Sequence, residues 1–214
     1  MCDNGCINSL HISFNLFGKI NSDDQRLIRC LEASLLVMES FQLEVGEAKK
    51  FDYSIVGHSG DSSCIPFVDW ASSPNNEKER LQILQTMLAH SQYCMSGDNT
   101  LEALEKAIDE VSAKAVGTDD GYVISDTNSG ESGTVICLSD ANLARYGIDP
   151  RELGNIIERG RQKNVNAYII FIASFGEEAE SITRALPAGS GYICMETNEL
   201  PKAVREILAS GVLK

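Results

Sequence analysis

The residues of this chain best suited to chemistry lie in two short polar turns, Ser96-Gly97-Asp98-Asn99-Thr100 and Ser139-Asp140-Ala141-Asn142. The first opens a helical stretch, Leu101–Ala115, and the second closes a short apolar run, Val135–Leu138. A hydroxyl from one turn and a carboxylate from the other, meeting above the carboxyl ends of a parallel sheet, suit a hard divalent cation such as Mg²⁺. Taken singly, each turn reads as a helix cap: Asn99 or Thr100 caps the helix beginning at Leu101, and Asp140 caps a short turn towards Tyr146. The order of the surrounding elements decides between two caps and one site.

Other chemistries find weaker support. No Gly-x-x-x-x-Gly-Lys-Ser/Thr run is present, and the cluster Gly130-Glu131-Ser132-Gly133 precedes a strand where a phosphate loop would join strand to helix. The run Gly57-His58-Ser59-Gly60-Asp61 approaches the Gly-x-Ser-x-Gly nucleophile elbow, which makes a serine hydrolase using Ser59 and His58 the alternative function. Its fifth position is Asp, and a Pro-containing strand follows where the elbow needs a helix, so a polar hairpin turn is the favoured reading. The seven cysteines, Cys2, Cys6, Cys30, Cys64, Cys94, Cys137 and Cys194, are scattered without a Cys-x-x-Cys pair. They read as thiols packed in apolar patterns in a reducing compartment, with no zinc-site geometry.

With 214 residues the chain suits one large domain. Its 43% hydrophobic and 23% charged residues are globular proportions. The net charge of −13, with no basic run against it, argues against nucleic acid or an anionic membrane as the main partner. No apolar run approaches the ~20 residues of a membrane span. The opening Met-Cys-Asp-Asn-Gly-Cys resembles neither a signal peptide nor a transit peptide, so an intracellular, soluble protein is expected.

These turns must be positioned by the elements around them. Leu27, Ile28, Leu31, Leu35, Met38 and Phe41 recur at helical spacing behind Ser22 as N-cap. Phe51–Val56 and Cys64–Trp70 form an edge hairpin, because Pro66 cannot donate to a ladder on both sides. Helices follow over about 76–93 and 99–115, then a polar segment, 117–133, that reads as a flexible insertion. Three strand-helix units close the chain: 134–138 with 150–162, 167–173 with 177–186, and 192–195 with 200–209. The continuous apolar run Tyr168-Ile169-Ile170-Phe171-Ile172 suits a parallel strand covered on both faces. The fold expected is an α/β, Rossmann-like open sandwich: a mostly parallel six-stranded sheet with one antiparallel edge strand and helices on both faces. Ile136, Ile170 and Phe171 should be buried within it.

The element order, with Ser-Gly-Asp-x-Thr before a helix and Leu-Ser-Asp at a strand end, resembles von Willebrand factor A domains. The resemblance is sharpest along Tyr53–Asp61, Ala89–Thr100, Leu138–Ile148 and Leu186-Pro187-Ala188-Gly189, and runs from about Asn15 to the end. It is nearest to the A domains that follow dynein-related AAA ATPase modules in mitochondria-associated proteins. In the family, a metal-ion-dependent adhesion site combines Asp-x-Ser-x-Ser after the first strand with a Thr from a second loop and an Asp from a third. The resemblance therefore implies a metal set of Ser13, Asn15, Thr100 and Asp140, an Mg²⁺ cofactor, and a protein partner engaged through an acidic side chain. The first loop is degenerate: its best placement, His11-Ile12-Ser13-Phe14-Asn15, has His for the leading carboxylate and Asn for the last Ser. Mg²⁺ should be held weakly or lost, with Asp98 as a compensating carboxylate, and Met1–Phe14 reads as an atypical start to a single domain over 1–214. The resemblance implies no catalysis by this chain and a mitochondrial setting without a transit peptide.

Overall fold

The computed structural model describes residues 8–15, 26–41, 51–94, 97–115, 133–139, 143–172, 176–196 and 199–211. In chain order the elements are β1 (Asn8–Asn15), α1 (Arg26–Ser40), β2 (Phe51–His58), β3 (Ile65–Val68), α2 (Glu77–Tyr93), α3 (Thr100–Ala115), β4 (Gly133–Ser139), α4 (Pro150–Gln162), β5 (Val165–Ile172), α5 (Gly176–Ala185), β6 (Gly191–Cys194) and α6 (Leu200–Gly211). The strands form one six-stranded sheet in the order β3-β2-β1-β4-β5-β6. Every pairing is parallel except β2 with β3. The expected architecture is therefore present, with the Pro66-containing strand at the edge, where a missing N–H costs no central ladder bond.

Alternation along each strand sorts the side chains into two layers. Leu10, Ile12, Phe14, Tyr53, Ile55, Ile136, Leu138 and Ile170 meet α1, α2 and α6 on one face. Val135, Cys137, Val165, Ala167, Ile169 and Phe171 meet α3, α4 and α5 on the other. Ile136, Ile170 and Phe171 are fully buried, as a sheet covered on both faces requires.

Two features of the central strands matter for function. First, β2 continues through Gly57 and His58, which pair with Phe14 and Asn15 of β1, so these two residues belong to the sheet and the turn starts later. Second, β1 lies between β2 and β4 near the centre of the sheet. Its alternation is half apolar and half polar, because Leu10, Ile12 and Phe14 face one layer while Ser9, His11 and Ser13 face α3. A polar half-strand in a buried position is stable only with its hydrogen bonds made, and β2 supplies partners. The helix cap at Ser22 and most of the insertion at 117–133 lie outside the described residues.

Candidate functional site

The polar face of β1 is matched on β2, where Ser54 and His58 stand on the same side. His11 Nδ1 lies 2.8 Å from Ser54 Oγ, and His58 Nδ1 lies 2.9 Å from Ser13 Oγ. The second nitrogen of His58, Nε2, reaches Thr100 Oγ1 at the start of α3, 3.2 Å away. A neutral imidazole has one N–H and one bare nitrogen, so one of these hydroxyls donates to the ring and the other accepts from it. Burial holds both rings neutral: it lowers the pKa of His58 to about 3. Burial first, and then the neighbouring His58, lowers that of His11 to about 4. His11 also stands 3.8 Å from Glu110 and beside Trp70, whose indole N–H donates to the same carboxylate.

The turn that carries Asp98 and Thr100 approaches this layer at the start of α3. Asp98 Oδ1 accepts from the Thr100 backbone N–H at 2.6 Å, and Asp98 Oδ2 lies 3.5 Å from the Asn15 amide nitrogen. The Asn99 side chain donates to the Ser59 carbonyl at 2.7 Å. Gly97 is what lets the two loops close up: a Cβ there would come within 2.5 Å of Gly60 Cα. Asp98 thus caps the helix through the Thr100 N–H, and the Thr100 hydroxyl, fully buried, turns to His58. Capping is not what that hydroxyl does.

The residues drawn from the sequence therefore part company. Asn15 and Thr100 lie at the carboxyl end of the sheet, joined through Asp98. Ser13 and Thr100 bond opposite nitrogens of one imidazole, which separates their oxygens by more than the roughly 4 Å between opposite ligands of an octahedral Mg²⁺. They do not share an ion in this geometry. His11, read as the substitute for the leading carboxylate, lies four residues inside the strand, roughly 13 Å from Asn15 along the sheet. The rise of a strand puts only its last residue at the edge, so the five-residue motif placed along it could not converge. Asp140 lies outside the described residues.

Two residues named in the sequence stand in unexpected surroundings. His58 was taken for a turn residue, yet Asp52, Ser54 and His58 fall on one side of β2 just as Ser9, His11 and Ser13 do on β1. Matched polar stripes on adjacent strands were the available signal. The other is Ser139, last residue of β4, only 2% exposed, whose Oγ has no hydrogen-bond partner among the described residues. Phe14 pairs with Leu138, so Ser139 stands beside Asn15, and alternation puts it with Val135 and Cys137 on the α3 side.

An orphaned hydroxyl beside Asn15, with Thr100 and Asp98 adjacent to that residue, is a donor set of neutral oxygens and one carboxylate, which fits a hard cation. Among the described residues no three of His, Cys, Asp and Glu gather in a group that could hold a metal ion. The hydrolase pair is not assembled: both nitrogens of His58 are engaged elsewhere, and Ser59 Oγ accepts from the Asp61 N–H.

A mostly parallel six-stranded open sandwich with an antiparallel edge strand, and polar loops meeting where β1 ends and α3 begins, defines a class. The chain belongs to the von Willebrand factor A domain family. Over 195 residues, 91% of its length, it is 42% identical to von Willebrand factor A domain-containing protein 8 of Mus musculus, of whose length it spans 9%. No protein-family model matches the chain. Its fold is shared with manganese-loaded TRAP protein of Plasmodium vivax (TM-score 0.55, 12% identity, covering 95% of this chain and 74% of that one). It is shared too with proximal thread matrix protein 1 of the mussel byssus, solved with a zinc-occupied adhesion-site motif (TM-score 0.56, 14% identity, covering 94% and 47%). No helix among the described residues is long and apolar enough to cross a membrane.

Proposed function

We propose that the chain is a non-catalytic protein-interaction domain whose adhesion-type site is degenerate and holds Mg²⁺ weakly. The observation that carries this reading is the convergence of Asn15, Asp98 and Thr100 at the carboxyl end of the sheet, in a fold whose structural relatives include metal-loaded examples. Thr100, Asn15 and Asp140 hold the ion; Ser13, bonded to His58, takes no part in holding it. A bound cation would supply a positive centre for one acidic side chain of a protein partner. The chain's own residues provide the frame: Asp98 fixes the first turn of α3, and Asn99 ties the loop to Ser59.

The proposal extends to context. The chain serves as the interaction module of a longer protein in which dynein-related AAA ATPase modules precede it, in mitochondria; the 42% identity to a small part of a much longer relative supports that arrangement. A pull-down from mitochondrial extract with Mg²⁺ and with chelator tests the reading. A partner retained with Mg²⁺, released by chelator and lost in Thr100→Val supports it; a partner held equally in all three conditions contradicts it.

A further inference from the structure

In a packed interior an unpaired hydroxyl is a cost without return, because it has given up water and gained no partner. Ser139 Oγ is in that position among the described residues, at 2% exposure, at the end of β4. Its neighbours make the location meaningful. Asn15 stands beside it on the adjacent strand, on the same face of the sheet, and Asn15 in turn approaches Asp98, which fixes the first turn of α3. Across the same face, the hydroxyl that the sequence pattern offers to a cation, Ser13 Oγ, bonds the His58 nitrogen opposite the one that meets Thr100 Oγ1, and so stands away from Thr100. One hydroxyl stands away from the site and another, unassigned by that pattern, is left without a partner among the described residues at its edge.

We propose that Ser139 Oγ is a direct oxygen ligand of the divalent cation held at this site, in place of the hydroxyl that Ser13 does not provide. The inference rests on the metal-dependent reading above. A serine hydroxyl is a neutral hard donor, suited to Mg²⁺ or Mn²⁺ and poorly suited to thiophilic ions. Exchange of its oxygen for sulfur should therefore invert the preference of the site while preserving the shape of the side chain.

The full chain is titrated with Mn²⁺, free ion being followed by electron paramagnetic resonance, in wild type, Ser139→Ala, Ser139→Cys and Ser13→Ala. Wild type should bind, Ser139→Ala should bind about tenfold more weakly, and Ser13→Ala should bind within about twofold of wild type. Ser139→Cys should lose Mn²⁺ affinity and gain Cd²⁺ affinity over wild type, a change that a purely structural serine would not produce. Without metal, Ser139→Ala should melt at or above the wild-type temperature, since it deletes an unpaired buried group. Binding by Ser139→Ala equal to wild type, or a clearly lowered metal-free melting temperature, overturns the assignment of Ser139 and leaves the cation reading intact. Absence of Mn²⁺ binding in wild type overturns both.

Discussion

His58 Nε2 lies 3.2 Å from Thr100 Oγ1, so the last residue of β2 is tied to the first residue of α3. The same ring reaches back to Ser13 on β1. Two strands and a helix are thereby joined through one neutral imidazole in a layer that excludes water. In this arrangement the ring links the hydroxyl of the first strand to that at the start of α3.

Removal of the ring should be costly. His58→Ala leaves two buried hydroxyls unpaired and opens a cavity, and each effect alone is worth about 1–3 kcal/mol. Urea unfolding should show a loss of roughly 2–4 kcal/mol, whereas an exposed control such as Glu102→Ala should stay within about 0.5 kcal/mol. A loss below about 1 kcal/mol would show that the His58 bonds do not hold the layer together.

Acid should weaken the fold earlier than carboxylate titration alone would. His11 and His58 have folded pKa values of about 4 and about 3, below the ordinary 6.5. Between those values and 6.5 the unfolded chain binds protons that the folded chain refuses, so stability rises with pH through that window. It is complete above about pH 6.5 and falls below it, by roughly 1 kcal/mol for each ring at about pH 5.5. Glu110, 3.8 Å from His11, partly offsets the cost for that ring once it is charged. Urea midpoints compared at about pH 7.5 and 5.5 test this. A His58→Gln variant should lose about half of the dependence, and an unchanged midpoint in wild type would contradict burial of both rings in neutral form.

The geometry separates two ways of returning a carboxylate to the first strand. His11→Asp puts it in the layer beneath α3, where Ser54 is its nearest described partner, and should destabilise the fold without adding a ligand. Asn15→Asp puts it at the sheet edge, 3.5 Å from Asp98 in the present arrangement. Two carboxylates that close repel each other until a cation arrives, so Asn15→Asp should melt lower than wild type without metal and gain more on adding Mg²⁺. Calorimetric scans of both variants with and without Mg²⁺ decide the point. A larger Mg²⁺ gain for His11→Asp would place the first loop where the sequence alignment put it, against the observed register.

The fold was legible because its signals are local. Alternating strands and helices, the proline at one edge and the uninterrupted apolar run of β5 each report on a sheet with two covered faces. The central strand was hard to read because half of it is polar. Ser9, His11 and Ser13 look unlike core residues until Ser54 and His58 are set beside them, and that pairing depends on residues about 45 positions apart. The turn leading into α3 was legible because Asp98 and Thr100 lie within it and bond each other. The first loop was harder to place, because a five-residue motif laid along an extended strand carries His11 far from the carboxyl end. The orphaned hydroxyl of Ser139 could not be read from sequence, because unsatisfied burial is a property of packing.

The weak cation site proposed for Asn15, Thr100 and Asp140 is tested most directly by melting in a Mg²⁺ titration. A ligand that binds only the folded state stabilises by RT ln(1 + [L]/Kd), about 0.4 kcal/mol at a concentration near Kd. Wild type should show a small, saturable rise in melting temperature with Mg²⁺, and Thr100→Val and Asp140→Ala should show none. Equal rises in all three proteins, or no rise in wild type at any concentration, would contradict the site.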